Sequence, residues 1–530
     1  MEWTSLSFVI VCLCSSFWQN VERRLLGRVV ETGRLGGGGG GEGSNKRRLL
    51  VRTYSQENIE VTARYMSVHP PRLLVFDGQE FGLYNLEHKS NHYHNHPECG
   101  RCAKLVPLLV EALVSQFPHR FRNNAPPFQL LLTEGDSIHT NCVNSINNRR
   151  TCPTQDFAPL LAFSSVPRDS TILPTVQAFP NWFYLQCLYE WRIHQQTNQS
   201  CNWKEFNQDV LSSSLTTTLW NDLIPSIVWR GSDFPFLPYM TQFRHMKGGA
   251  RFFQQQLNDK KEKEESSSSS SPQQALDHLL HHWDDLTPRW RSVALSLQAR
   301  LETTNNTTNS VAWLDSKFHE NKALPFQVME MEHRFNKMVG LEVSESRFVE
   351  TSELGRYRYQ LDLGGGGGTS WRGTLTKLAL PGLLFHHETP TMDWFYQDDL
   401  FQPHVHYLPV QWDLSDLRLR YNWAQAHPHQ AQAMARNATH LAHYLLSPTY
   451  MKQVYNELYR IYLPQTVSAY RPSDNDDQQQ ETWASIQERY QRNGFELRRV
   501  SHCQACSCTT ETHPDTHVTQ EWCIPGQTHS

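Results

Sequence analysis

The sequence predicts an α/β fold built from two domains, and three observations lead to that prediction. The chain has 530 residues, which is long for one hydrophobic core, so two domains are expected. Short apolar runs such as Phe128–Thr133 and Ile224–Trp229 have the length of buried strands and end in polar turn residues. Helix-like segments lie between these runs, and strands that alternate with helices are typical of layered folds with parallel sheets.

The individual elements follow from local patterns. Pro107–Phe117 is apolar at helical spacing, and Leu276–Leu301 has a helical pattern that Pro288 interrupts. The other predicted elements are strands at Leu160–Ser165, Tyr357–Leu363, Gly382–Phe385 and Val405–Val410, and helices at Leu375–Leu380 and Leu414–Leu446. These segments predict a first domain over residues 51–223 and a second over residues 224–472.

The remaining segments have compositions that differ from the two domains. Residues 1–50 combine an apolar stretch, Leu6–Cys14, with a glycine-rich and basic stem. The stretch is shorter than the ~20 residues that span a bilayer, so we expect a signal peptide or one short membrane anchor, with a buried helix as the alternative. Asp259–Ser271 is predicted to be a disordered loop, and residues 473–530 a polar, cysteine-rich tail.

The net charge argues against one class of partner, and the cysteines and sequons favour a secreted or lumenal protein. The net charge is −4, which argues against a nucleic-acid partner because such proteins usually carry a basic excess. Ten of the 12 cysteines lie outside the apolar N-terminus, an even number that suits disulfides. Glycosylation sequons stand at Asn198, Asn305, Asn306 and Asn437.

Two groups of metal-ligand residue types have an alternative interpretation. The first group consists of alternating histidines, His92, His94 and His96, just before Cys99 and Cys102. Clusters of cysteine and histidine of this kind can hold zinc. A second cluster comprises Cys503, Cys506 and Cys508. In an oxidising compartment disulfides are favoured for the cysteines, and a chance cluster is favoured for the histidines among 26 in the chain.

Three further segments have the residue types of a phosphate-binding or acid–base site. Asp136 follows an apolar strand, where it can act as a general base or simply cap the next turn. Arg230, Gly231 and Ser232 follow another strand; the arginine can bind phosphate or stabilise a turn. Gly364–Gly368 follows a predicted strand and precedes polar donors, so it can cradle a phosphate or serve as a linker.

Taken in order, these motifs resemble one family. The chain reads FAPLLAFS, IVWRGS, YRYQLDL, SWRG and VHYLPVQWDLS between Phe128 and Leu446. This series resembles the capsule-associated glycosyltransferases of family 90, which include the protein O-glucosyltransferases and O-xylosyltransferases of the endoplasmic reticulum. The chain departs from the family in the spacing from Arg372 to Phe385, so Lys377 has no safe match.

The resemblance implies a fold and a set of roles. The implied fold is GT-B-like, with two Rossmann-like domains facing a cleft, and the implied reaction is inverting, with a UDP-sugar donor and no metal cofactor. Asp136 stands at the position of the family's catalytic base. The implied donor-binding residues are Arg230, Gly231, Ser232, Gly368, Ser370 and Arg372.

We therefore expect a glycosyltransferase that uses UDP-glucose or UDP-xylose and modifies a hydroxyl group of a protein or glycan. The expected location is the lumen of the endoplasmic reticulum or Golgi. The alternative from another class is a non-catalytic protein that binds glycans on a transferase scaffold. A weaker alternative is a metal-binding secreted protein that uses the cluster from His92 to Cys102.

Overall fold

The computed structural model describes most of the two predicted domains. The described residues are 52–66, 71–88, 105–133, 138, 154–162, 166–168, 175–180, 182–193, 219–238, 240–246, 272–305, 311–319, 343–345, 349, 351–370, 372–396, 400–472 and 481–500. The predicted N-terminal segment and stem, Asp136, the cluster from His92 to Cys102, the loop 259–271 and the cysteines at 503–508 lie outside these residues.

The described residues alternate between strands and helices, as predicted. The strands are β1 (Arg72–Phe76), β2 (Phe81–His88), β3 (Phe128–Thr133), β4 (Leu160–Ala162), β5 (Val166–Pro167), β6 (Val176–Ala178), β7 (Ile224–Gly231), β8 (Leu314–Phe318), β9 (Tyr357–Asp362), β10 (Leu383–His387), β11 (Thr391–Met392), β12 (Leu408–Val410) and β13 (Phe495–Arg499). The helices are α1 (Gln56–Tyr65), α2 (Leu105–Gln116), α3 (Trp182–Ile193), α4 (Pro272–His281), α5 (Pro288–Asn305), α6 (Thr351–Leu354), α7 (Arg372–Ala379), α8 (Leu417–Ala426), α9 (Pro428–Leu445), α10 (Pro448–Tyr455), α11 (Leu463–Ala469) and α12 (Trp483–Arg492).

The first sheet is mixed. In the described part of the chain its strand order is β13-β2-β1-β3-β4-β6. Strands β3, β4 and β6 run parallel, while β1 pairs antiparallel with both β2 and β3. Strands β1 and β3 are buried along their whole length, which explains why they appear in the sequence as continuous apolar runs.

The second sheet is fully parallel and confirms the predicted α/β class. Its order among the described strands is β12-β10-β9-β7-β8, and every pairing in it is parallel. The predicted strands in this region are confirmed, although β12 is shorter than the predicted Val405–Val410. Parallel strands place all their carboxyl ends at one edge, and that edge is where open α/β sheets bind ligands.

Two predicted long helices each form two helices that meet near a proline. Leu276–Leu301 corresponds to α4 and α5, and Leu414–Leu446 corresponds to α8 and α9. Pro288 and Pro428 each stand at the first residue of the second helix of a pair. A proline is tolerated there because a first-turn residue needs no intrahelical N–H bond. The break therefore follows from the backbone chemistry of proline.

The C-terminal part of the chain returns to the first sheet. Strand β13 pairs antiparallel with β2, and the buried Gln129 of β3 exchanges side-chain hydrogen bonds with Tyr470 (2.8 Å) and Tyr490 (2.6 Å). Residues 481–500 thus complete a folded sheet, so the predicted polar tail from residue 473 has to be corrected over this segment. The polar spacing of α12, which buries only Ile486 and Tyr490, explains why the segment looked like a tail.

A short antiparallel pair joins the two halves. Strand β5 of the first half pairs with β11 of the second, and Arg168 donates from its main chain to the Pro390 carbonyl at 2.9 Å. The described residues belong to one compact unit. The glycine loop after β9 lies close to this junction, because the hydroxyl of Thr391 donates to the Gly367 carbonyl at 2.8 Å.

Candidate functional site

The second sheet has one apolar and one charged face. Ile227, Trp229, Tyr359, Leu361 and Phe385 belong to one hydrophobic cluster with residues of α5. Successive strand residues point to opposite faces, and the intervening residues on the other face include several ionisable groups. Those groups are Arg230, Asp315, Lys317, Asp362 and His386. Buried charged groups need specific partners, so the geometry of this face defines the candidate site.

Arg230, a predicted donor-binding residue, is held by two carboxylates. Its guanidinium donates to Asp315 Oδ2 at 2.7 Å and to Glu345 Oε1 at 3.0 Å, and the side chain is 5% exposed. Burial raises the pKa of Asp315, but the charge of Arg230 outweighs it and holds that pKa below its usual value. The positive charge of Arg230 is therefore largely neutralised within the protein.

The two residues after Arg230 have main-chain roles. A Cβ atom on Gly231 would lie 2.5 Å from the indole ring of Trp229, so only glycine fits beneath that ring. Ser232 is buried, and its carbonyl accepts a hydrogen bond from Arg289 Nη1 at 2.6 Å. The Arg-Gly-Ser segment thus shapes the end of β7 and anchors a second arginine.

That second arginine, Arg289 in the first turn of α5, bridges the ends of two strands. Its Nη2 donates to the Leu363 carbonyl at 3.3 Å, and its guanidinium lies over the rings of Trp229 and Phe234 at 5.7 and 5.8 Å. Burial lowers the pKa of Arg289 to about 10, although Asp233 and Asp362 partly oppose that shift. In the described structure its hydrogen bonds go to main-chain carbonyls, and its buried Nε has no partner.

The glycine loop is a compact turn packed against Arg289. A Cβ atom on Gly364 would lie 2.2 Å from the Gly368 carbonyl oxygen, and one on Gly365 would lie 2.9 Å from Arg289 Nη2. Gly368 has a φ of 80°, in the left-handed region that favours glycine. Its N–H donates to the Gly365 carbonyl at 2.9 Å. These contacts require glycine at three positions, so the linker interpretation does not fit Gly364–Gly368.

Asp362 is the centre of the charged face. Its carboxylate is 1% exposed and accepts hydrogen bonds from Ser370, from Thr374 (2.7 Å), from Lys377 (2.8 Å) and from His386 Nδ1 (3.0 Å). Burial alone would raise the pKa of Asp362, but Lys377 and His386 hold it well below its usual range. The carboxylate therefore stays ionised and fixes the position of Lys377.

The spacing of these donors follows from the helix. Ser370, Thr374 and Lys377 are separated by four and three residues, which places them on one side of α7 and the turn before it. Ser370 was predicted to contact the UDP-sugar, but its hydroxyl donates a hydrogen bond to Asp362. Arg372 is the first residue of α7. The helix is thus tied along one side to the end of β9.

Several cations meet at the carboxyl edge of the sheet. His319 follows β8, and its N–H donates to the Gly231 carbonyl at 3.1 Å. Burial, together with the charges of Arg230, Arg289 and Lys377, lowers the pKa of His319 to about 4. Three cationic side chains are therefore close enough to act on one imidazole. An edge that carries these positive charges suits an anionic ligand such as a diphosphate.

Sequence reasoning missed the residues that organise this edge. Asp362, Thr374, Lys377, His386 and Arg289 were not among the predicted site residues. One signal was present, because Asp362 ends the predicted strand YRYQLDL and a carboxylate in a buried strand requires partners. Arg289 gave a weaker signal, since it follows the proline that begins α5.

The described residues lack both a metal-ligand cluster and a membrane-spanning helix. No group of three or more His, Cys, Asp or Glu residues there has the geometry of a metal site. In the same part of the chain, no helix combines the length and the apolar character needed to cross a bilayer.

Comparison with known proteins identifies the class. Residues 290–520 match the model for "Glycosyl transferase family 90", so the chain carries a glycosyltransferase domain. Over this range, which is a little under half of the chain, the match confirms the family resemblance predicted from the motifs. The match extends beyond the predicted limit at Leu446 and starts after Trp229–Ser232. Asp362, Lys377 and His386 lie inside it.

Individual relatives are more distant. The chain is 32% identical over 95 residues to "Protein O-glucosyltransferase 2" of Danio rerio, and the matched segment covers 17% of this chain and 17% of that protein. Two solved structures of Anabaena Alr3699/HepE, one with UDP-glucose and one with UDP and glucose, show 10% identity and a TM-score of 0.23. They cover 68% and 71% of this chain and 96% and 98% of the solved chains.

Proposed function

We propose that this protein transfers glucose or xylose from a UDP-sugar to a hydroxyl group of a protein or glycan. The observation that carries the proposal is the set of fixed cations at the carboxyl edge of the parallel sheet. Arg289 and Lys377 lie there; Lys377 is inside the segment that matches a glycosyltransferase family, and Arg289 is the residue just before that segment. A nucleoside diphosphate leaving group is the anion that such an enzyme has to stabilise.

The proposed mechanism assigns different tasks to the two arginines. Arg289, bonded only to carbonyls among the described residues, is placed to donate to the diphosphate as negative charge develops on it. Arg230 is neutralised by Asp315 and Glu345 and positions the end of β7. Lys377 adds a second fixed charge, because Asp362 holds its ammonium group in place. Preorganised charges of this kind need no reorganisation when the bond to the leaving group breaks.

The acceptor side of the proposal rests on Asp136. It follows β3, a strand of the first sheet, within 134–137, which lie outside the described residues. A carboxylate there would take the proton of the acceptor hydroxyl as the oxygen attacks the anomeric carbon and UDP departs. Attack from the side opposite the leaving group inverts the configuration. The proposed architecture is accordingly GT-B-like, with the acceptor on the first sheet and the donor on the second.

The proposed compartment is the lumen of the secretory pathway. Cys187 in α3 is 3% exposed and disulfide-bonded, and disulfides persist mainly in oxidising compartments. The N-terminal apolar stretch would serve as the signal peptide or as a single anchor.

The direct test is a UDP-sugar panel with the purified full-length chain. We expect release of UDP, or sugar transfer to an added acceptor, with UDP-glucose or UDP-xylose and in the presence of EDTA. Asp136→Asn should abolish turnover and leave UDP binding within about twofold, because the base does not contact the diphosphate. Absence of UDP-sugar binding, measured by calorimetry, would instead favour the non-catalytic glycan-binding alternative. A strict Mn²⁺ requirement would contradict the metal-free mechanism.

A further inference from the structure

A surface pocket lies at the end of the second sheet opposite its cationic edge. Its volume is about 330 Å³, and it is lined by His404, Trp423, Gln430, Ala433, Met434 and Asn437. The loop that carries His404 precedes β12, so the pocket lies toward the amino ends of the parallel strands. Arg289 and Asp362 lie at the opposite, carboxyl ends. The volume corresponds to about ten water molecules, which is enough for a small polar group such as a sugar ring.

Asn437 forms one wall of this pocket and begins the sequon Asn437-Ala438-Thr439. The residue is exposed on α9, whereas Ala438 is fully buried. Its Nδ2 donates one hydrogen bond to the Val405 carbonyl at 3.2 Å. An amide nitrogen carries two hydrogens, so one can be replaced by a covalent bond while the other keeps its contact with Val405.

The other walls have the chemistry of a carbohydrate contact. Gln430, Ala433, Met434 and Asn437 follow one another at helical spacing along a single side of α9, over about 10 Å. Trp423 of α8 also lines the pocket, and its ring is stacked on that of His427, with ring centroids 4.8 Å apart and an interplanar angle of 17°. A flat aromatic face beside an amide side chain matches a sugar ring, which presents both C–H bonds and hydroxyl groups.

His404 at the edge of the pocket has an unusual backbone. Its φ is 60°, a left-handed conformation that few residues other than glycine adopt. The conformation is held by a hydrogen bond from its N–H to the Tyr407 carbonyl at 2.8 Å. Backbone strain outside glycine concentrates at places where a ligand is held, and His404 is one of the residues that line this pocket.

We propose that Asn437 carries an N-linked glycan and that its first sugar lies in this pocket. The attachment joins Asn437 Nδ2 to the anomeric carbon of a lipid-linked oligosaccharide. The bond between that carbon and the polyprenyl diphosphate oxygen breaks, the amide loses one proton, and the polyprenyl diphosphate leaves. The proposal rests on the lumenal part of the proposed function and is independent of the transfer reaction.

The experiment maps glycans on the full chain secreted by eukaryotic cells. Mass spectrometry before and after peptide N-glycosidase treatment should find Asn437 occupied, with conversion of the asparagine to aspartate on release. Asn437→Gln and Thr439→Ala should both lose the glycan, and the matched control Thr439→Ser should keep it. Vacant Asn437 in a chain that is glycosylated at Asn198 or Asn305 would overturn the site and leave the compartment intact.

A second measurement tests whether the first sugar of the glycan lies in the pocket. Enzymatic removal of the glycan from the native protein should be about fivefold faster in Trp423→Ala than in the parent, the factor expected from one aromatic-face contact. After denaturation the two rates should be equal. Equal native rates would overturn the pocket contact. A chain that carries no glycan and remains outside the secretory pathway would overturn the proposal together with its compartment, while UDP-sugar turnover by the same preparation would show that the catalytic proposal stands.

Discussion

The two faces of the second sheet are buried alike but are built from different chemistry. On one face Trp229, Leu361 and Phe385 pack into a hydrophobic cluster. On the other, Asp362 and His386 are equally inaccessible and are bonded to Lys377 and to hydroxyl groups. Parallel strands covered on both sides are usually apolar on both. Burial of these polar groups therefore lowers stability, but it fixes the positions of the cations. We expect the two faces to respond differently to substitution.

The largest effect is expected for Asp362→Asn. The change leaves Lys377 and His386 buried beside a neutral amide, and removal of one partner of a buried ion pair costs about 3–5 kcal/mol. Urea unfolding should show this loss at pH 7, together with weaker UDP binding in the fraction that still folds. The pKa of Asp362 lies below its usual value, so its contribution is present above pH ~4 and is lost as the pH falls further. A loss below about 1 kcal/mol at pH 7 would contradict the central role of this carboxylate.

The neighbouring substitution Leu361→Ala tests the apolar face. Leu361 is fully buried, and truncation of a buried leucine costs about 2–5 kcal/mol through lost transfer energy and a cavity. The Kd for UDP, measured by calorimetry on folded protein, should stay within about threefold because the side chain points away from the cations. A large loss of UDP affinity at unchanged stability would show that the two faces are not separable.

His387 extends the comparison to pH. It lies on the same face of the sheet as Phe385, and burial lowers its pKa to about 4. The unfolded chain then binds a proton below pH ~6.5 that the folded chain does not, so stability falls as the pH drops from 6.5 to 4. For His387 alone the loss reaches about 3 kcal/mol. Denaturation measured from pH 7 to 4.5 should show a shallower decline in His387→Gln; an unchanged slope would argue against this assignment.

The arginine pair gives the smallest and most specific effect. Arg289→Gln should weaken UDP binding by about 10- to 100-fold, the value of one charge-assisted contact, and should also lower stability, because its hydrogen bonds to the Ser232 and Leu363 carbonyls are lost. Arg230→Gln should lower stability and leave UDP affinity nearly unchanged, because Asp315 and Glu345 would lose their shared partner. Calorimetry and thermal unfolding on both variants distinguish the two roles. Equal losses of UDP affinity in the two variants would indicate that Arg230 contacts the UDP-sugar directly.

Much of the second half of the fold could be predicted from the sequence. The strands there are short, apolar and bounded by turn residues, as in Ile224–Trp229, Tyr357–Leu363 and Gly382–Phe385. The spacing and length of their apolar runs were therefore sufficient to predict them. The family could be predicted because its motifs occur in order. The C-terminal return to the first sheet could not, because β13 reads FELRR and its pairing with β2 depends on tertiary contacts.

The site was harder to predict than the fold. Ser370 was recognised by type and place, but its hydrogen bond to Asp362 depends on where α7 lies. Arg230 was recognised in the same way, although Asp315 and Glu345, which neutralise it, are distant in sequence. Motifs identify residue types at strand ends. Only the packed structure shows which charge is already paired and which is left for a ligand.

Strand β13 has a consequence for how the chain is made. Its partner β2 is synthesised about 400 residues earlier, and at ~5–20 residues per second the wait lasts on the order of 20–80 s. During that time β2 lacks the neighbour that covers it in the finished sheet, and an uncovered strand edge invites mispairing. The first half is therefore expected to reach full protease resistance only after Phe495–Arg499 leaves the ribosome. Pulse proteolysis of ribosome-bound chains of increasing length would time that event.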